Sequence, residues 1–364
     1  MRINVTRSSM PDFEEYCAEI RELWDTRWLT NNGVKALALE AALSEYLQSP
    51  YVSLFTNGHL ALEAVLASLK LGGEVVTTPF TFASTVHAIV RKGLTPVFCD
   101  VRPDDFTLDA RKAEALITSK TCAILPVHVY GNLCDVDALQ ALADRHGLAL
   151  VYDAAHAFGV TKNGVSAAAF GTASMFSFHA TKVFHTIEGG AVATASAGLN
   201  ERLCLERNYG ITGPEDVVCV GGNAKMNEFQ AAMGLCNLRR LSEDIRARKH
   251  VHDLYQELLS GADRLALPQA QPGVESNYAY YPVLFRDGRA ARDAACGRLL
   301  ENGVTARKYF YPLITDFACY RGMPGFDPSL TPIAALAADS VATLPLYPGL
   351  ADEDVRLICR VILS

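Results

Sequence analysis

Up to about residue 190, short runs of apolar or β-branched residues alternate with longer stretches whose apolar positions recur at helical spacing. The runs are YVSLF (51–55), EVVTT (74–78), TPVFCDV (95–101), TCAILPVH (121–128), LALVYDA (148–154) and ASMFSF (173–178). Continuous hydrophobicity over so few residues marks strands covered on both faces. Between them lie HLALEAVLASLKL, FASTVHAIVRKG, ARKAEALITS and CDVDALQALADRHG, with Gly93 and Gly147 placed as helix stops. This alternation predicts an α/β domain: a mostly parallel central sheet, flanking helices and right-handed crossovers, with ligands beyond the carboxyl ends of the strands.

The rhythm then changes. Residues 227–262, NEFQAAMGLCNLRRLSEDIRARKHVHDLYQELLSGA, read as one or two long helices, with Arg239, Arg240, Arg246, Arg248 and Lys249 as a solvated basic face. YAYYPVLF (278–285), DAACGRLLENG (293–303) and DEDVRLICRVIL (352–363) predict a smaller α+β domain. The expected division is a large α/β domain over 1–240, with an N-terminal helical segment, and a C-terminal domain over 241–364. No internal repeat or low-complexity linker interrupts the chain.

Composition narrows the class without naming a chemistry. Half of the 364 residues are hydrophobic and a fifth are charged, which is ordinary for a globular protein. A net charge of -7 opposes general binding to nucleic acid, yet a local phosphate pocket needs only a few donors. No apolar stretch approaches the roughly 18 residues that a membrane span requires, and MRINVTRSSMPDFEEYC has no signal-like apolar core, so a cytoplasmic protein is expected. Ten cysteines with no CxxC pair suggest reduced, mostly buried thiols.

Two residues carry the candidate chemistry. Asp153 directly follows the apolar part of its strand and should project from the carboxyl end of the sheet, although an aspartate there also suits the N-cap of a following helix. Lys182, in FSFHATKVFHTIEGG, lies beyond the next strand among Phe176, Phe178, Phe184 and Ile187. A lone lysine there could simply snorkel. A carboxylate and a lysine converging on one pocket make either an ion pair or the two fixed points of pyridoxal phosphate (PLP), which needs an amine at its aldehyde and an anion at its pyridine nitrogen. The strand–turn–helix of LFTNGHLALEAVL (54–66) offers a helix N-terminus to a phosphate, and Ser177 could add a hydroxyl. GxGxxG, GxxxxGK[ST], GxSxG and HExxH motifs are absent, and His179 and His185 are poorly spaced as ligands, so no metal site is expected.

WLTNNG (28–33), NGHLAL (57–62), TTPFTFAST (77–85), PVFCDV (96–101), ILPVHVYGNLCDVDAL (124–139), VYDAAHAFG (151–159), SFHATKVFHTIEGG (177–190), GGNAKMNEFQAAMG (221–234) and RKYFYPL (307–313) together resemble the DegT-type nucleotide-sugar aminotransferases, which are fold-type I PLP enzymes. The resemblance runs almost end to end. It implies Lys182 as the catalytic lysine that also shuttles the proton, Asp153 as partner of the pyridine nitrogen, and His156 as contact to the ring's phenolic oxygen. It implies Phe82 stacked on the ring, Asn57, Gly58, His59 and Ser177 at the phosphate, and Asn223 reaching the phosphate of a partner subunit's cofactor, hence a homodimer with shared sites. Lys308 and Tyr309 are expected substrate contacts. Two positions depart from the family pattern: His59, where threonine is common, and Lys225, where arginine is frequent.

Some relatives carry histidine at the lysine position and dehydrate a sugar, so Lys182 implies a transaminase taking its amino group from L-glutamate. The wording of LTNNG, SFHATKVF, KMNEFQAA and RKYFYPL resembles the branch that aminates dTDP-4-keto-6-deoxyglucose to a 4-amino-4,6-dideoxy sugar. A 3-keto sugar or cyclitol aminotransferase, a sugar dehydratase and a non-catalytic regulatory homologue remain alternatives.

Overall fold

In the computed structural model, which describes residues 2–364, the alternating first half closes into one seven-stranded sheet. Three helices, α1 (Phe13–Ile20), α2 (Leu23–Thr26) and α3 (Val34–Leu47), lead into β1 (Tyr51–Phe55). The alternation then runs α4 (Gly58–Ser68), β2 (Glu74–Thr77), α5 (Ala83–Arg91), β3 (Thr95–Phe98), α6 (Ala110–Glu114), β4 (Thr121–Leu125), α7 (Val136–His146), β5 (Ala149–Asp153). Gly93 and Gly147 end α5 and α7 with φ of 74° and 63°, a conformation costly for residues with a Cβ. A small hairpin, β6 (Thr161–Lys162) and β7 (Val165–Ser166), precedes β8 (Ala173–Ser177) and β9 (Gly190–Thr194).

The strand order is β1-β9-β8-β5-β4-β2-β3. All pairings are parallel except those of β9, which runs antiparallel to both β1 and β8. Val75, Val76, Ala123, Ile124 and Val151 are wholly buried, as expected of strands covered by helices on both faces. The register matters for function. Gly190 pairs with Phe55 on one side and Ser177 on the other, so the turn after β1, the end of β8 and the loop 178–189 meet at one edge. Asp153, the last residue of β5, ends at the same edge, opposite Met175.

After α8 (Ala197–Glu206), a single helix α9 (Glu228–Leu259) takes up 32 residues. It starts on a reciprocal cap: Gln230 N–H donates to the Asn227 side chain, and Asn227 N–H donates to Oε1 of Gln230. Its first half packs on α1 and α3. Its second half covers the C-terminal unit, made of β10 (Leu265–Ala266), β11 (Val274–Glu275), β12 (Tyr281–Phe285), α10 (Gly288–Glu301), α11 (Pro332–Ser340), β13 (Val341–Leu344) and α12 (Asp352–Leu363). β12 is the middle strand of a three-stranded antiparallel sheet with β10 and β13, while β11 joins the β6–β7 hairpin of the large unit. The expected division at 240/241 therefore falls inside one continuous helix. The expected solvated face of that helix needs correction at Arg248, which is fully buried, donates to the Leu346 carbonyl at 3.3 Å, and has its pKa lowered to about 10 by burial. Arg239 is held by Glu15 and Glu19 of α1 at 2.8 and 2.9 Å. All ten cysteines are unpaired thiols.

Candidate active site

A cavity of about 510 Å³ opens at the edge where β1, β5, β8 and β9 meet. Asn57, Gly58, His59, Phe82, Asp153, His156, Ser177, Lys182 and Tyr309 all line it, although they come from five separate segments of the chain. Its floor is the N-terminus of α4. Leu60 N–H donates to the Asn57 side chain at 2.8 Å, which leaves the earlier amides of the first turn facing outward as an anion cup. The fit is tight. A Cβ on Gly58 would stand 2.8 Å from the Ser177 Cβ, and one on Gly190 would stand 2.7 Å from the backbone of Asn57 and Gly58.

Asp153 is 4% exposed, and no helix follows it, so the N-cap alternative is not realised. Its carboxylate instead accepts from the Ala155 amide at 3.1 Å and from the Thr85 hydroxyl at 2.7 Å, with Thr81 bonded to Thr85 behind it at 2.7 Å. Burial raises its pKa, opposed by those two hydrogen bonds and by the charge of Lys182. Among the described residues no lysine, arginine or histidine side-chain nitrogen lies within 4 Å of its carboxyl oxygens, so this buried carboxyl group faces the cavity without a cationic partner. Lys182 is half-buried in the loop between β8 and β9, its amide bonded to the His179 carbonyl at 2.9 Å. Its ammonium has no carboxylate within 4 Å among the described residues and sits 5.9 Å from the centroid of the Tyr280 ring. The simple ion-pair alternative therefore fails: anion and amine share a cavity but do not close on each other.

His156 is buried, stacks on Phe310 and packs on Tyr280. Tyr130 N–H donates to its Nδ1 at 3.0 Å, so the ring proton belongs on Nε2. Burial, then the charges of Lys182 and Arg307, push its pKa well below the usual imidazole range, so it is a neutral donor at pH 7. Phe82, at the start of α5, leaves half its surface exposed at the cavity, which is unusual for a phenylalanine that only fills core.

Of the expected residues, Lys308 and Asn223 stand outside this cavity, Asn223 having been expected at a partner subunit's cofactor. Lys308 does not line the cavity; its ammonium pairs with Asp293 at 2.6 Å. Asn223 is exposed outside it and accepts from Lys225 at 2.7 Å. Arg307, absent from the expectations, does line the cavity, its guanidinium 4.1 Å from the Tyr309 ring centroid. The signal for it was period-2 alternation. Residue 307 bridges Thr343 as in a strand, so 307 and 309 share one face and 308 takes the other. Thr85, Ser84 and Tyr280 were also missed, because short polar residues and aromatics on helices and strand ends carry no positional signature.

A cavity with a helix-terminus anion cup, an unpartnered buried carboxylate, a free amine, a neutral histidine donor and an exposed aromatic fits the phosphate, pyridine nitrogen, aldehyde, phenolic oxygen and ring of PLP. The model of the DegT/DnrJ/EryC1/StrS aminotransferase family matches residues 12–363. The chain belongs to this family. It is 40% identical, over 100% of its length and 98% of the relative's, to the dTDP-4-amino-4,6-dideoxy-D-glucose transaminase of Escherichia coli. DesI, solved in the presence of its TDP-sugar product, superposes with a TM-score of 0.93 at 33% identity, covering 100% of this chain and 92% of that one. Spr1654 of Streptococcus pneumoniae, solved in a PLP form, superposes with a TM-score of 0.92 at 27% identity, covering 100% and 98%. This DegT/DnrJ/EryC1/StrS chain thus shares the α/β fold of PLP-dependent sugar aminotransferases, and among its described residues no helix is long and apolar enough to cross a membrane.

Proposed function

We propose that the protein uses PLP to move an amino group from L-glutamate to C-4 of dTDP-4-keto-6-deoxy-D-glucose, giving dTDP-4-amino-4,6-dideoxy-D-glucose. The observation that carries this reading is the opening of Lys182 and Asp153 onto one cavity, in a chain 40% identical end to end to a transaminase of that name. When bound, the cofactor supplies an aldehyde conjugated to an electron-withdrawing ring, able to accept and surrender an amine. The protein's part follows from its own groups. The α4 amides with Asn57, Gly58, His59 and Ser177 hold the phosphate. Asp153 would pair with the pyridine nitrogen and keep it protonated, and Nε2–H of His156 would be the donor for the phenolic oxygen. Phe82 covers one ring face and excludes water. Lys182 would hold the cofactor by its aldehyde, and the same amine is placed to carry a proton between the donor's α carbon and the sugar carbon.

Arg307 and Tyr309 are the substrate-facing pair, the guanidinium matching the carboxylate of glutamate or the diphosphate of the nucleotide by turns. Asn223 and Lys225 act in a homodimer, each serving the neighbouring subunit's cavity. Beside them Val217, Val218 and Val220 are 67%, 61% and 97% exposed, an apolar strip that a second copy would cover. The test is a product assay with L-glutamate and a panel of dTDP-, UDP- and GDP-linked 4-keto and 3-keto sugars. Amine at C-4 of the dTDP-linked 4-keto sugar is expected. Amine at C-3, or turnover confined to another nucleotide, would overturn the substrate assignment.

A further inference from the structure

His59 at the phosphate cup is tied on both sides. Its Nε2 lies 3.1 Å from Oε1 of Glu63, one turn further along α4, and its Nδ1 lies 2.9 Å from the Ser84 hydroxyl, which also lines the cavity. Glu63 is 6% exposed and receives Arg91 on the same carboxylate, with Lys92 at 3.8 Å; Lys92 in turn lies 3.6 Å from Glu206. His87, on the next turn of α5, has its pKa lowered by burial and by the charges of His59 and Arg91. Lys182 faces the same cavity from the β8–β9 loop. Around the imidazole, Glu63 and Glu206 are thus offset by Arg91 and Lys92, and His59 is the member of this cluster that reaches the cavity.

The hydrogen between Nδ1 and Ser84 can take two positions. With a neutral imidazole, Nε2–H donates to Glu63, Nδ1 is a bare lone pair, and Ser84 must donate to it, turning its own oxygen lone pairs toward the cavity. With an imidazolium, Nδ1–H donates to Ser84, whose O–H is then free to donate into the cavity. The first arrangement repels an anion in the cup and the second receives it.

We propose that Glu63, His59 and Ser84 form a proton-coupled anion clamp, in which arrival of the cofactor phosphate draws a proton onto His59 and reverses the Ser84 hydrogen bond. Glu63 is the positioning residue: it fixes the ring and stabilises the charge. The clamp rests on the reading that this cavity holds PLP by its phosphate.

The test is calorimetric titration of PLP into the cofactor-stripped full chain, above neutrality where the phosphate is already a dianion, in two buffers of different ionisation enthalpy. The wild type is expected to take up more protons than His59→Asn, by up to about one, with Glu63→Gln in between. The ratio of the wild-type to the His59→Asn dissociation constant should rise with pH by up to about tenfold per unit, while Ser84→Ala flattens the wild-type slope. Equal proton counts and parallel pH profiles in the wild type and His59→Asn, with PLP still bound by both, would overturn the clamp alone. A wild type that develops no chromophore with PLP would overturn the cofactor reading and the clamp with it.

Discussion

Replacing Asp153 by asparagine separates what this carboxylate costs the fold from what it contributes to the reaction. The side chain is 4% exposed and accepts one hydrogen bond on each oxygen, from Ala155 N–H and from the Thr85 hydroxyl. Asparagine keeps an oxygen for the Ala155 amide. Its amide nitrogen then faces Thr85, whose hydroxyl can turn to donate to Thr81, 2.7 Å away, and accept instead. No buried polar group is orphaned, so the variant should fold. In the cofactor-free wild type, burial raises the Asp153 pKa above its unfolded value. A raised pKa makes the group's stability contribution complete below the ordinary carboxylate range and lost as pH rises through the shifted value. The ionised form is therefore a net cost at neutral pH, and cofactor-free Asp153→Asn should melt at or above the wild type there, with the difference closing on acidification. Activity should move the other way. Two opposite unit charges in contact at an effective dielectric near 20 are worth about 4 kcal/mol, so losing the pyridine-nitrogen partner should lower kcat/KM by up to about 10³-fold. The assays are melting of the stripped protein against pH and single-turnover bleaching of the chromophore by L-glutamate. Activity within tenfold of wild type, or a lower melting temperature at neutral pH, would refute this account of Asp153.

Lys182→Ala should abolish turnover, a loss of at least about 10⁴-fold for a group serving as both nucleophile and proton carrier, and borohydride should no longer fix the chromophore to the protein. Mass spectrometry of the reduced wild type checks the second point, with label expected on the peptide containing Lys182. Gly190→Ala puts a Cβ 2.7 Å from the Asn57–Gly58 backbone. It should cost roughly 1–3 kcal/mol of stability and weaken PLP binding, read by thermal melting and cofactor titration. Arg307→Ala should raise KM for glutamate or the nucleotide sugar by about tenfold to a hundredfold, whereas Lys308→Ala, which leaves Asp293 still paired with Arg292, should stay within about twofold; steady-state kinetics that reverse this order would reject the alternation argument.

Local pattern was enough for much of the large unit. The strands β1 to β5 and β8 lie within the expected runs, and Gly93 and Gly147 end their helices, because strand burial and helix capping depend on neighbours within a few residues. Asp153 and Lys182 could be nominated from residue type and position after a strand. What the chain pattern could not supply was β9: Gly-Ala-Val-Ala-Thr is too small and too short to stand out, and it becomes a strand because β1 and β8 present their edges to it. That pairing, through Gly190, is what brings the Asn57–Gly58 turn beside Ser177 and hence makes the phosphate cup. The facing of Arg307 and Lys308, the burial of Arg248, the Thr85 support of Asp153 and the His59–Ser84 contact likewise depend on segments far apart in the chain. Sequence determined which chemical groups and local elements are available. Tertiary packing decided which groups share a cavity and which of their charges go unpaired, because distance and burial, on which Coulomb energy and desolvation depend, are properties of the folded chain alone.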